Sequence, residues 1–415
     1  MVRSWKLRSI LFLVAALASF ALAERYGAAP AGPVPVAVSD RAVAAMQPGS
    51  FAAGWHHALV VLQDGTVWAW GRNDRGQLGD GSDDDRPTPA QVMGLMGVRS
   101  VAAGTSHSLA LLEDGTVWAW GRNDAYQLGH ASREDQWAPV QVEGIAGARA
   151  IAAGGQFSAA ILDDGSLWTW GSQSGGQLGV VMLDVFRSMP VQVEAVSGVR
   201  SVATGEIFTL ALLDDGSVWG WGRNQSGQVG TGESMNQYNR PVLIEGLADV
   251  VHLAAGQEHA LAVTADGDVW GWGFHEFGQL GIDAGGEWRL ATPTRLDGLQ
   301  GDLSVAAGSD HSFALDADGR LWAWGRHDFG RLGDGSTEHR FAPVEITGLS
   351  DVAGVDGGHL FSIAVTADGG VWTWGDNRYG QLADGTVGGS RPLPGPVDGL
   401  GAVRLAAVDG GPALH

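Results

Sequence analysis

Four histidines recur at one place in the sequence: His57, His107, His259 and His311. Imidazole is the side chain best suited to move protons or hold a transition metal near neutral pH. In three further copies the same place carries Phe157, Phe208 and Phe361, which can do neither. The pattern therefore predicts a structural imidazole, bonded to backbone at a tight turn. Acids cluster at Asp80, Asp83, Asp84 and Asp85, but without the ligand spacing of a calcium loop. No metal site is expected. Neither Gly-x-Ser-x-Gly nor His-Glu-x-x-His occurs, since His275-Glu276 is followed by Phe-Gly-Gln. The glycines of "GQLGDG" follow the wrong strand order for a dinucleotide loop and open no helix. Cysteine is absent and Lys6 is the only lysine, which excludes thiolates, disulfides and a lipobox, and leaves the mature chain no Schiff-base lysine. No catalytic residue and no cofactor is expected. An enzyme with carboxylates scattered over loops is the alternative that motif searching does not touch.

The elements that would position such residues are written seven times. The glycine after each Trp-x-Trp falls at Gly71, Gly121, Gly171, Gly222, Gly273, Gly325 and Gly375, spacings of 50 to 52 residues. In the second copy, Ser100–Gly104, Ser108–Leu112, Thr116–Trp120 and Pro139–Val142 read as four short strands. An Asp-Gly pair separates strands two and three, placing glycine at Gly65, Gly115, Gly165, Gly216, Gly267, Gly319 and Gly369. It predicts a tight type I′ hairpin with positive φ at both central residues. A four-stranded sheet cannot bury both faces alone, whereas seven packed around a ring can. The expected fold is all-β: a seven-bladed propeller of four-stranded antiparallel blades. Residues i and i+2 of a strand share a side. Trp68 and Trp70, Trp118 and Trp120, Trp168 and Trp170, Trp219 and Trp221 should therefore enter inter-blade layers. The same holds for Trp270 and Trp272, Trp322 and Trp324, and Trp372 and Trp374. These are fourteen of the 18 tryptophans, so their predicted role is architectural.

The pattern V-x-x-(I/V)-A-A-G-x-x-H-S-x-A-L, D-G-x-V-W-x-W-G-x-N-x-x-G-Q-L-G resembles the repeat of the regulator of chromosome condensation family. The resemblance runs from Phe51 to about Leu400, fits best at Ser100–Gly129 and Val250–Gly281, and is weakest in the seventh copy. It implies a seven-bladed propeller with about fifty residues per repeat. It also implies three kinds of function. Guanine-nucleotide exchange in a nucleus goes with a basic tail that this chain lacks. Plant UV-B photoreceptors of the family repeat Gly-Trp-Arg-His-Thr, and here Gly54-Trp55-His56-His57-Ala58 is similar once, without the arginine. Secreted bacterial members inhibit beta-lactamases by covering them with one face.

Arg3, Lys6 and Arg8 precede an apolar run from Ile10 to Ala18, and Ala21-Leu22-Ala23 is a small-x-small cleavage site. Residues 1–23 read as a secretory signal peptide, followed by a linker at 24–46 and the propeller at 47–415. The mature protein is expected to be a bacterial, exported, periplasmic or extracellular monomer with no membrane association. Losing those three cations and no acid takes the formal net charge from −21 to −24. Such a surface repels nucleic acid. After Leu400, "VRLAAVDG" begins an eighth copy, which predicts a tail that pairs with N-terminal material in the blade of Trp68 and Trp70.

Meandering strands alternate their connections between two faces. The Asp-Gly turns share one face; the "AAGxxH" turns and the longer, more variable loops share the other, where binding sites sit on rigid scaffolds. That second face offers Trp55 and His56 in a short turn, with Trp137, Phe186, Tyr238, Trp288 and Phe341 in successive long loops. Rimmed by acids, these aromatics are expected either to anchor a protein partner or to seal their own blades. The predicted function is a non-enzymatic, exported protein-binding scaffold, with a regulator of the exchange or inhibitor type as the alternative implied by the family.

Overall fold

The computed structural model describes residues 49–181, 184–234 and 237–405. The expected signal peptide, linker and residues 406–415 of the tail lie outside the described residues. Among the described residues, seven four-stranded antiparallel meanders form a ring. Their innermost strands are Phe51–Ala53, Val98–Ala103, Ala148–Ala153, Val199–Thr204, Val250–Ala255, Leu303–Ala307 and Val352–Gly357. Each contacts the next, and the last contacts the first. The ring is closed. Blade 2 shows the unit: Val98–Ala103, His107–Leu112, Val117–Gly121 and Gln136–Gln141. The outermost strand thus starts three residues earlier than its sequence suggested. Every outermost strand carries proline, from Pro87 and Pro89 in blade 1 to Pro394 in blade 7, which removes donors from an exposed sheet edge.

Seven apolar clusters hold the ring, each shared by two neighbouring blades. Trp120 packs with Leu59, Val67 and Leu78 of blade 1, and Trp70 packs with Phe361, Ile363 and Val365 of blade 7. The two tryptophans of a pair are unequal. Trp70, Trp120, Trp170, Trp221, Trp272, Trp324 and Trp374 are wholly buried. Their partners are half-buried, and four of them, such as Trp118, donate to the hydroxyl beside the Asp-Gly turn. A shared side fixes direction, not depth.

Each buried indole would leave an unpaired N–H in the seam. It does not, because Nε1 donates to a backbone carbonyl of the preceding blade: Gln381, Gln77, Gln127, Gln177, Gln228, Gln279 and Arg331 in turn, at 2.8–3.0 Å. In five seams a serine or threonine hydroxyl donates to the same carbonyl, as Ser108 does to Gln77. The recurrent histidine meets that hydroxyl across the seam. His57 Nε2 lies 3.0 Å from Ser108 Oγ, and His107, His259 and His311 meet Ser158, Ser312 and Ser362 alike. The serine proton is already committed to the carbonyl, so the imidazole carries its proton on Nε2. The histidine is therefore structural, but its partner is the next blade's hydroxyl and not its own turn's backbone. Burial keeps it neutral, lowering His57 to about 4 and His107 and His259 to about 3.

The hairpin expectation needs correction. Gly65 has φ +76°, but Asp64 is not in the left-handed region. Gly65 N–H donates to Leu62 O and Leu62 N–H to Thr66 O, both 2.9 Å, which is a type I turn closed by a glycine bulge. The Asp64 carboxylate accepts both the backbone N–H and the hydroxyl of Thr66. Its side chain holds the turn, so positive φ is needed only at the glycine.

Blade 1 has the shortest innermost strand, and the chain's other end completes its ladder. Val403 bridges Leu62, Arg404 N–H donates to Val61 O at 2.8 Å, and Gln63 N–H donates to Ala402 O at 3.1 Å. Val403 is fully buried in the cluster between blades 7 and 1.

Candidate partner-binding face

Short turns join the two inner strands of each blade around the mouth of the central channel. Each starts with a glycine that touches the next blade: a Cβ on Gly54 would stand 2.7 Å from Gly104 O, and one on Gly358 would stand 2.6 Å from Gly54 O. Past the glycines, backbone hydrogen bonds link turn to turn. Thr105 donates to Gly155, Gly155 to Glu206, Glu206 to Gln257, Gln257 to Ser309, Ser309 to Gly358, and His359 to Trp55, at 3.0–3.4 Å. The mouth is thus a rigid collar whose side chains are free to differ.

They differ by sector. The fifth residue of each "GRNDxGQLG" segment is Arg75, Ala125, Gly175 and Ser226 in blades 1 to 4, then Phe277, Phe329 and Tyr379 in blades 5 to 7. Because the ring closes, Tyr379 sits beside blade 1. The Trp55 indole stacks on the His359 imidazole at 4.8 Å and 19°. His56 stands edge-on to His359 and 5.0 Å from the Tyr379 ring. Guanidinium groups cover the aromatic faces: Arg72 over Tyr379 at 4.9 Å, Arg378 over Phe329 at 5.1 Å and Arg326 over Phe277 at 4.6 Å. Phe277 continues to Phe274 and so to Trp288. Phe329 is 39% exposed and has φ 62°, a costly conformation for a bulky residue.

Charge in this sector is balanced. Asp310 pairs with Arg326 at 3.2 Å and Asp376 with Arg378 at 2.8 Å. Burial raises both carboxyls above their usual range. Arg331, in the place of a repeat glutamine, is wholly buried and donates to the carbonyls of His359 and Asp328. Burial lowers it to about 10, and lowers His56 to about 3 and His359 to about 4. At neutral pH the imidazoles act as aromatic rings, not as cations.

The structure separates the residues singled out in the sequence. Trp55 and His56 lie in the mouth, and Trp288 reaches its edge through Phe274. Trp137, Phe186, Tyr238 and Phe341 are not in loops. They open the outermost strands, because those strands begin earlier than expected. Trp137 and Phe341 rest on Gly76 and Gly278 of the preceding blade, and Phe186 faces Tyr126 at 6.4 Å. Trp137, Trp288 and Phe341 nevertheless keep 50–57% of their surface exposed, so they seal seams only in part. His359, Tyr379, Phe329, Phe277 and the arginines escaped sequence reading, although the fifth-position aromatics were there to be aligned. Among the described residues no cluster of three His, Asp or Glu side chains is placed to hold a metal. Asp80 accepts from Ser82 and Arg86, and Asp85 from the Asn73 N–H. Among the described residues no helix is long and apolar enough to cross a membrane.

Comparison with known proteins places these features. The family description "RCC1-like domain" matches residues 146–413, and "Regulator of chromosome condensation (RCC1) repeat" matches 64–111 and 114–161. The ultraviolet-B receptor UVR8 of Arabidopsis thaliana is 32% identical over 297 residues, covering 70% of this chain and 56% of the receptor. The chain thus spans little more than half the length of that relative. Yeast RCC1 (Prp20), solved with Kap60 bound, superposes with a TM-score of 0.74 at 23% identity, covering 91% of this chain and 90% of that one. Prp20p of Saccharomyces cerevisiae, described with its binding to Gsp1p and histones, gives 0.72 at 24% identity, covering 88% and 89%.

Proposed function

Starting from the fact that the chain belongs to the RCC1-like domain family, we propose that it is a non-enzymatic protein-binding regulator that holds its partner on the mouth of the propeller. One observation carries this reading: the aromatic and arginine sector that spans blades 1, 7, 6 and 5 from Trp55 to Phe277, with Phe329 presented from strained backbone. Aromatic and arginine side chains on a rigid frame lose little entropy on binding and dominate interface energetics. The yeast propeller that shares this fold is described with the protein partners Kap60, Gsp1p and histones. Exchange on a nucleotide-binding partner and inhibition of a covered enzyme would both use this face, and differ in what the partner then does. The acidic composition favours a protein over nucleic acid. The leader-like residues 1–23 support export, which the N-terminal mass of the secreted chain tests.

Chemical cross-linking in the envelope fraction or medium of the source organism, with mouth and rim variants compared, is the direct test. Phe329→Ala with Tyr379→Ala should abolish capture of a saturable protein partner at unchanged melting temperature. Trp137→Ala with Phe341→Ala should not. Capture that survives the mouth variant and fails in the rim variant would overturn the assignment.

A further inference from the structure

The other sector of the mouth is hollow, and the cause lies in blade 3. Blades 1, 2 and 6 place an arginine and an aspartate after the third strand, and these pair: Arg72 with Asp74, Arg122 with Asp124, Arg326 with Asp328. Blade 3 has Ser172 and Ser174 there, and glycine at Gly175 and at collar position Gly155. The missing side chains leave a cavity of about 220 Å³. Drug-sized ligands occupy roughly 300–1,000 Å³, so this one admits a single ring.

Its walls bear Thr105, Gln156, Ser172, Ser174, Arg122 and Glu206. Ile207 and the Trp55 indole, covered on one side by His359, complete it. Arg122 Nε is buried there without a hydrogen-bond partner among the described residues. Arg122 already pairs with Asp124 and Glu206 accepts from Gln257, so neither is left to balance a charged ligand. A purely apolar ligand would strand the Thr105 hydroxyl, the Gln156 carboxamide and the Arg122 Nε. What suits alternating hydroxyl, amide and charged hydrogen-bonding groups beside an indole is an uncharged ring. That ring has hydroxyls on its rim and C–H groups on its faces. We propose that the hollow between blades 2 and 4 is a binding site for one neutral pyranose sugar. The site shares the Trp55 indole with the aromatic sector but needs no protein partner.

The probes are D-glucose, D-galactose, D-mannose and N-acetyl-D-glucosamine, with D-glucuronate as a charged control, read by saturation-transfer NMR and tryptophan fluorescence on the mature chain. At least one neutral sugar should bind saturably, in the millimolar range typical of a single small ring (~4 kcal/mol). Ser172→Arg with Ser174→Asp restores the pair that blades 1, 2 and 6 already fold around, and should abolish binding at unchanged melting temperature. Thr105→Val or Gln156→Ala should each weaken it by ~10-fold, the worth of one lost hydrogen bond. No saturable binding by any neutral sugar, equal binding by the filled variant, or binding of glucuronate alone would each overturn the proposal.

Discussion

The two sectors of the mouth share one backbone and differ in what they offer. Blades 5, 6, 7 and 1 present stacked rings and arginines; blades 2, 3 and 4 present small side chains around a hollow. Beneath both runs the same construction of glycine against carbonyl and buried indole to carbonyl. The difference teaches where freedom lies. Positions that satisfy a neighbour's backbone recur in nearly every copy, while the side chains of the fifth loop position and the collar bond other side chains, not a neighbour's backbone, and vary. Function should therefore reside in the departures from the repeat.

The sharpest way to break that division is to attack the shared layer. Trp170→Ala or Trp324→Ala removes a fully buried indole and its inter-blade hydrogen bond, and should cost about 3–5 kcal/mol. Trp168→Ala, at a half-buried partner, should cost clearly less. Equal losses in urea unfolding would mean that the two indoles are equivalent after all. Next in size, truncation after Gly401 removes Val403 and the ladder bonds of Arg404. Its loss of a buried valine and three backbone bonds, those of Ala402, Val403 and Arg404, should lower stability by about 3–4 kcal/mol. An unchanged melt would show that residues 402–405 do not close the ring.

Acidification tests the seams collectively. His56, His57, His107, His259 and His359 are held at about 3 to 4 by burial, against 6.5 for a free imidazole. Between those values the unfolded chain takes up protons that the fold refuses, so stability is full above pH 6.5 and falls as pH drops toward 4. The buried carboxyls that are raised, Asp310, Asp376 and above all Asp356, oppose this. The Asp356 carboxyl accepts the Ala53 N–H across the seam, and burial raises it to about 6, so its own contribution improves as pH falls from 6 toward 3.8. Each histidine contributes up to about 1.4 kcal/mol per pH unit. His107→Phe with His259→Phe should reduce the slope between pH 7 and 5, leaving the part due to His56, His57 and His359. Phenylalanine already stands at Phe157, Phe208 and Phe361, so the cost at pH 7 should be small. A slope unchanged in the double variant would place the titration elsewhere. Smallest of all, Phe329→Gly relieves left-handed strain and should stabilise by roughly 0.5–1 kcal/mol or leave the melt unchanged. A large loss would mean that Phe329 belongs to the frame.

Much of this frame could be read from the chain, because it depends on period. Seven Trp-x-Trp-Gly segments at a steady spacing specify seven meanders, and strand parity sends both indoles to one side. Parity is silent on depth, so the inequality of Trp118 and Trp120 was hidden. The Asp-Gly pair announced a tight turn but not its type, which is decided by the Asp64 carboxylate bonding Thr66. The rim aromatics were misplaced by the few residues that separate a loop from the start of an outermost strand. The mouth was least legible: Trp55 and His359 lie at opposite ends of the chain and meet only because blade 7 closes on blade 1.

The central claim is that the repeat builds the frame and its departures bind. It is tested most directly by giving blades 5 to 7 the fifth-position residues of blades 2 to 4. The triple variant Phe277→Ala, Phe329→Gly, Tyr379→Ser would be assayed for melting temperature and partner cross-linking side by side. An unchanged melt with partner capture lost is the predicted result. A collapsed melt, or capture that persists, would contradict it.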